Sequence, residues 1–552
     1  MDIICSPFQT APNSFGVTGV NKLYRRFCSF DQRTHLSVQR VGRGHGHLPS
    51  YVQFSSTDTT AGLFEHEDIE AIKEEQRAPN ISQVNPADVL EKVEYNWEQE
   101  WYPLYLANEL PRDAPLGLSI FHKQVVLYYD GAGDLRCFED RCPHRLAKLS
   151  EGQLMDGRLE CLYHGWQFEG DGQCVRIPQL PAGAKIPATA CARTYTVHNS
   201  QGVIWIWMGD RKKADIRNIP HFDQFDDPTN MDISTIHVLP YDHSILLENL
   251  MDPAHIPISH DRTDPSARRE NAQALKFEIL ERTSRGFCGR YGESSKDDWT
   301  FKFRFQAPCI IQNEREIQRK DGYPAKFMAI FMCTPAGQGK SMLIARFAQT
   351  GKQRLFSAIP EWLIHQVSNK VFEQDMGFLA SQNEALLREG VPTGRLYLNL
   401  KSSDVLVLEY RKWLDKVGHG MPYYIGHRSL SLPAKEALLE ASPAGFLAST
   451  ASSQPVKGAL GGLFAADLTN RYFRHVVHCS KCRAAFQKLK SMQKLSIILA
   501  LVSVISALIV LRRPWRLVSV VVGSVALAVL YLCQQAINML TTNEMRTHRK
   551  TV

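Results

Sequence analysis

Two sets of residues in this chain have the types and spacing of metal ligands. Cys142-Pro143-His144 is followed, after sixteen residues, by Cys161-Leu162-Tyr163-His164. Two loops that each present one thiolate and one imidazole can give one iron two sulfurs and a second iron two nitrogens, the donor set of a mixed-ligand [2Fe–2S] cluster. Cys₂His₂ is also a zinc set, but zinc fingers pair like with like and follow the pairs with a helix. Here the pairs are mixed and their surroundings read as β. Downstream, the segment Asn249–His260 carries His255, His260 and Asp252. With a third ligand from a distant acid, two histidines make a two-His-one-carboxylate iron site with open positions for O₂. Asp252 and His255 share a face if helical, yet Asp252 followed by Pro253 is equally an ordinary helix start. Pro257 interrupts, so His260 should return from a bend or a helix end. The acid should come from Val371–Gly377, where Glu373 and Asp375 point to different helix faces, so that one alone should reach a metal. Cys479-x-x-Cys482, with His475 and His478 beside it, reads as a zinc half-site, a redox pair or two incidental cysteines.

The elements that must position these residues follow from pattern and punctuation. A chain of 552 residues with net charge +7 and 13 cysteines is long enough for two or three domains. No basic patch interleaved with aromatics supports nucleic-acid binding. Cysteines without dense regular spacing argue for a reducing compartment. Residues 1–56 carry Lys22, Arg25, Arg26, Arg33, Arg40 and Arg43 against Asp2 and Asp31, the composition of an organellar transit peptide. Residues 57–97 read as an acidic linker. Between 98 and 210, β-branched and aromatic runs such as Gln124–Tyr129 and Gly202–Met208 alternate with the turn signals Asp156-Gly157 and Asp171-Gly172, which predicts an all-β domain. Residues 211–440 mix strands with a helix over Glu361–Glu389, an α+β domain. Residues 441–494 form a connector containing the CxxC. The apolar runs Leu495–Leu511 and Leu517–Leu532, within 495–532, flank Arg512-Arg513-Pro514-Trp515-Arg516 and predict a transmembrane helical hairpin. Lys488, Lys490 and Lys494 before it and the basic tail 533–552 place both ends on the more positive side.

From Trp101 onward the chain resembles the pheophorbide a oxygenase family, plant Rieske-type monooxygenases of chlorophyll breakdown. The resemblance lies in Trp101–Leu106, Glu139–Gly152, Gly165-Trp166, Tyr241–Asp252, Ser259–Asp264, Val371–Asp375, Cys479–Cys482 and the apolar hairpin. Respiratory Rieske proteins carry two further cysteines and a serine where this chain has Ala147, Tyr163 and Trp166. Fewer hydrogen bonds to the cluster should lower its potential, to suit a ferredoxin-like donor. The resemblance implies an all-β Rieske domain followed by a helix-grip-like α+β domain. It implies Cys142, His144, Cys161 and His164 as cluster ligands, and His255, His260 and Asp375 as ligands of a mononuclear Fe(II). Asp252 becomes a bridge to a Rieske histidine of the next subunit in a homotrimer. Reduced ferredoxin, O₂ and pheophorbide a become the partners, with ring opening at a meso carbon to red chlorophyll catabolite. Cys479 and Cys482 become a thioredoxin-responsive dithiol. The location implied is a chloroplast membrane, envelope or thylakoid, with the catalytic domains on the stromal side. A relative acting on protochlorophyllide or another chlorin is the first alternative. A non-catalytic redox component of a chloroplast import complex is the second, and it could keep the Cys/His set without an intact iron triad.

Overall fold

A computed structural model describes residues 94–263, 267–318, 324–350, 359–432 and 470–542. The transit stretch, the acidic linker up to residue 93, residues 441–469 of the connector and residues 543–552 of the tail lie outside the described residues.

The first half is built from β1 (Trp101–Leu106), β2 (Leu116–Ile120), β3 (Lys123–Tyr129), β4 (Leu135–Glu139), β5 (Gln153–Met155), β6 (Arg158–Cys161), β7 (Trp166–Phe168), β8 (Cys174–Arg176), β9 (Thr196–Ser200) and β10 (Val203–Trp207). They form three antiparallel sheets, ordered β1-β10-β9, β2-β3-β4 and β5-β6-β7-β8. Strand β3 explains why the Gln124–Tyr129 run is apolar throughout. Successive side chains point to opposite faces. Val125, Leu127 and Tyr129 enter the large core of the molecule, whereas Val126 and Tyr128 enter a small core with Leu149, Leu159 and Phe168. Cys142 and Cys161 belong to that small core, so its packing sets the height of both thiols. The Asp156-Gly157 turn has φ of +51° and +79°, as a two-residue hairpin requires. Another turn of this kind carries no such signal: Phe121 and His122, between the paired Ile120 and Lys123, have φ of +46° and +66°. Their backbone N–H groups donate to Pro335 and Ala336 of the second domain, so tertiary contacts hold what the residue types disfavour.

The second half contains β11 (Met231–Leu239), β12 (Leu275–Thr283), β13 (Gly286–Glu293), β14 (Phe301–Gln306), β15 (Ile310–Gln318), β16 (Pro324–Gly337) and β17 (Lys340–Gln349). These make one antiparallel sheet of order β11-β17-β16-β15-β14-β13-β12. Helices α1 (His243–Leu250), α2 (Glu361–Glu389) and α3 (Val405–Val417) supply buried residues to the core they share with the sheet. Gly390 caps α2 at φ +60°, the left-handed conformation glycine adopts without steric cost.

Two further helices, α4 (Ser480–Ile509) and α5 (Arg513–Thr541), are long and apolar enough to cross a membrane. They meet through small residues: Ser496, Ala500 and Ser503 on α4 are buried, as are Gly523 and Ala526 on α5. A Cβ on Gly523 would lie 3.2 Å from that of Ser503, the close approach that small residues permit in lipid. Large side chains such as Leu495, Leu508 and Leu517 face outward. The expected boundary between connector and hairpin, residue 494, falls inside α4. Helix α4 runs unbroken from Ser480, and its 30 residues span about 45 Å, more than the ~30 Å of hydrocarbon. Its first turn packs against α2, with Cys482 buried beside Trp362 and His365.

Candidate functional site

The two Cys/His pairs sit on matched loops. Cys142 lies just beyond β4 and Cys161 ends β6. Each loop closes on its cysteine carbonyl, which accepts from Leu146 N at 2.9 Å in the first and from Gly165 N at 2.8 Å in the second. Both closing residues are left-handed, with φ of +61° and +74°. The thiols are buried, and the His144 and His164 rings are half-buried with centroids 4.4 Å apart. His144 Nδ1 is buried with no hydrogen-bond partner, as a ring nitrogen reserved for a metal should be. The hydrogen bond from Cys142 lowers the Cys161 thiol against the effect of burial, and raises Cys142 in turn. Trp166 stacks on His144 at 4.6 Å and 7°. Leu146, Leu162 and Tyr163 form an exposed apolar rim. Gly165→Ala is expected to lose most of the cluster, since its Cβ would meet Pro178 Cγ at 3.0 Å in a left-handed backbone. The Rieske electron paramagnetic resonance (EPR) signal per chain checks this; undiminished intensity refutes it.

The second site is assembled from α1, α2 and the turns between α1 and β12. Asp252 caps a short 3₁₀ turn, Pro253–His255, and accepts from Ala254 N at 2.8 Å. Pro257 interrupts nothing: it lies in the first turn of a second short helix, Ile256–Ser259, where proline is tolerated, and His260 is that helix's C-cap. This brings His255 Nε2 to 3.5 Å and His260 Nε2 to 3.2 Å from Asp375 Oδ2 on α2. Donors of one ion with bonds of about 2.1 Å lie roughly 3.0–3.5 Å apart, so the three fit a single metal. Gln374 orients His260: its Oε1 lies 3.0 Å from His260 Nδ1, and its Nε2 donates to Thr263 Oγ1 at 2.6 Å. Asn249 Nδ2 lies 3.3 Å from Asp375 Oδ2. Burial alone would lower His255, but the carboxylates of Asp252, 3.4 Å away, and Asp375 outweigh it and push it up to about 10. Burial would raise Asp375, yet both histidines hold it well below the carboxylate range. A cation bound here would compete with a proton for the same nitrogens.

Glu373, the competing acid, faces away from this site. Arg471 grips it with two 2.6 Å bonds, and Arg474 shares it. A cavity of about 450 Å³ opens on His255 and Asp375, within the range of small-molecule sites. Phe378, Leu379, Leu398 and Val407 supply its apolar wall; Glu248, Asn249, Gln382, Tyr397 and Asp404 supply polar groups. Glu248 is tied at 2.6 Å to Arg411 of α3, and one of its buried oxygens has no hydrogen-bond partner.

Residues 100–195 match the family model described as the Rieske [2Fe-2S] domain, and residues 305–392 match the pheophorbide a oxygenase model. Across 464 residues the chain is 56% identical to "Protein TIC 55, chloroplastic" of Arabidopsis thaliana, covering 84% of this chain and 86% of that protein. The chain belongs to the TIC 55 family. Identity to pheophorbide a oxygenase of Oryza sativa subsp. japonica is 29%, over 76% of this chain and 79% of that protein. Identity to protochlorophyllide-dependent translocon component 52 of Arabidopsis thaliana is 25%, over 72% and 75%. The resemblance to pheophorbide a oxygenase is thus one of the wider Rieske oxygenase family, and TIC 55 is the nearer relation of the two.

As a TIC 55 family member within the Rieske oxygenases, the protein uses a [2Fe–2S] cluster and a mononuclear iron. An iron with three protein ligands supplies one-electron chemistry and open positions for O₂ that side chains lack. Of the groups that shape the TIC 55-type site beyond its ligands, Glu248 and Gln374 lie in stretches that carry the resemblance but that assign them no role, and Tyr397 lies in none. Glu248 precedes the other two by more than a hundred residues, and only the fold collects them. The last motif, Cys479 and Cys482, lies deep in the protein beside His365 of α2 and His475.

Proposed function

We propose that this chain is a membrane-held, ferredoxin-dependent Rieske monooxygenase acting on a chlorophyll-derived tetrapyrrole, with opening of the pheophorbide a macrocycle as its reaction. One observation carries the proposal: the triad His255, His260 and Asp375 is complete and opens on a cavity. In this reading Cys142, His144, Cys161 and His164 hold the cluster, and the triad holds the mononuclear iron. The partly exposed Asp252 links His255 to a Rieske histidine of the next subunit in a homotrimer. The apolar wall and the polar groups of the cavity orient the substrate. Helices α4 and α5 anchor the protein in a chloroplast membrane, its catalytic half on the stromal side, where an apolar pigment is at hand.

The identities to TIC 55 and to a translocon component favour a second reading, a redox component of an import complex that does not turn over substrate. Product analysis with reduced ferredoxin, ¹⁸O₂ and pheophorbide a, with chlorophyllide as the competing substrate, separates the two. The expected result is one labelled oxygen in an opened pheophorbide product, lost in His255→Ala while the Rieske spectrum persists. Labelled product from chlorophyllide alone moves the substrate to another chlorin. No incorporation from either, with His255→Ala indistinguishable from wild type, sinks the oxygenase reading.

A further inference from the structure

His365 on α2, His475, and Cys479 and Cys482 at the start of α4 bring four ligand atoms within 4.8 Å of one another. They are 4%, 0%, 2% and 0% exposed. Both sulfurs are free thiols. Cys479 Sγ lies 3.4 Å and Cys482 Sγ 3.5 Å from His365 Nδ1, and Cys482 Sγ lies 3.4 Å from His475 Nε2. A tetrahedral zinc with Zn–S of about 2.3 Å and Zn–N of about 2.0–2.1 Å separates sulfur from nitrogen by about 3.5 Å. These three sulfur–nitrogen distances already match that spacing.

The surroundings fit as well. His475 Nδ1 lies 2.8 Å from the Ile236 carbonyl, which can only accept, so the ring donates there and turns a bare Nε2 toward the sulfurs. The Cys482 N–H points at Cys479 Sγ, 3.5 Å away, and Cys479 is the N-cap of α4, where a thiolate is favoured. His478 is not part of the set: it lies outside the four whose ligand atoms stand within 4.8 Å of one another, and its Nδ1 meets Tyr105 Oη at 3.1 Å. Two thiolates neutralise a divalent cation, so the closed site buries no net charge. A dithiol exchanging with thioredoxin needs an accessible sulfur, and neither sulfur is accessible.

We propose that His365, His475, Cys479 and Cys482 hold one structural zinc ion that clasps the membrane hairpin to the helix carrying Asp375. His365 and Asp375 are ten residues apart on α2, about 15 Å along its axis. The clasp thereby fixes the membrane anchor against the element that completes the iron site.

Metal analysis of the full-length protein in detergent tests this directly. One zinc per chain is expected beside three irons, with a zinc-edge absorption shell of two sulfurs at about 2.3 Å and two nitrogens at about 2.0–2.1 Å. The double variant Cys479→Ser/Cys482→Ser loses the zinc and keeps the Rieske EPR signal. Should that variant not fold, the zinc shell of the wild type carries the test alone. Absence of zinc, iron in its place, a shell without two sulfurs, a native Cys479–Cys482 disulfide, or undiminished zinc in a folded double variant overturns the assignment. None of these readouts depends on turnover, so the zinc site stands or falls separately from the oxygenase reading.

Discussion

Asp375→Ala is expected to abolish oxygen incorporation and to reduce iron from three atoms per chain to two, with the Rieske EPR signal intact. Asp375 Oδ2 is the point on which both histidine nitrogens converge, at 3.5 and 3.2 Å. Its removal leaves two imidazoles that nothing else draws together. Loss of an outer-shell partner alone typically costs 10–100-fold in metal affinity or activity, so loss of the ligand itself should exceed about a hundredfold. Gln374→Ala grades the effect. It frees His260 Nδ1 without removing a donor, and should cost about 10–100-fold with partial iron loss. Retention of three irons and turnover by Asp375→Ala would remove this carboxylate from the site, and a milder Asp375→Ala than Gln374→Ala would invert the proposed order of roles.

That pair of residues also shows where sequence reading stops. The Cys/His pairs are legible because each is local: two or three residues of spacing on one loop, bounded by turn signals with a known backbone conformation. The long helix over Glu361–Glu389 is legible for a similar reason, since length and period outweigh everything else in its window. Neither Glu373 nor Asp375 declares its partner. Two residues apart on a helix they face different neighbours, and which neighbour each meets depends on Arg471 and His260, about a hundred residues away in opposite directions along the chain. The CxxC motif was ambiguous for the same reason. His365 lies 114 residues before Cys479, in no spacing that a motif could express. The Phe121-His122 turn, with no glycine or asparagine, was illegible because contacts with Pro335 and Ala336 impose it.

Glu373→Gln should be among the most destabilising isosteric substitutions in this protein, and Arg474→Met among the mildest for so large a buried change. Glu373 has a side chain 1% exposed, and it is the carboxylate between two buried guanidinium groups. Arg471 is well served, with both carboxylate oxygens at 2.6 Å, Gln366 at 2.9 Å and the Met539 carbonyl of α5. Arg474 is not. Burial holds it below its ordinary range, and its Nε and Nη1 have no hydrogen-bond partner. Removing the Glu373 charge takes their shared carboxylate from both cations, and breaking a buried pair from one side costs about 3–5 kcal/mol. Removing the under-paired cation instead leaves Glu373 to Arg471 in a bidentate bond, and replacing a buried charge by an apolar side chain is often neutral. Thermal unfolding in detergent, followed by tryptophan fluorescence, should show Tm lowered on the order of ten degrees for Glu373→Gln and by no more than a few for Arg474→Met. Because Arg471 also reaches the α5 carbonyl, Glu373→Gln should in addition expose the junction between α2 and the hairpin to proteolysis. Equal Tm values for the two variants would mean that the excess positive charge is balanced by a group other than Glu373, and the clasp between hairpin and catalytic domain would then rest on the Cys479/Cys482 cluster alone.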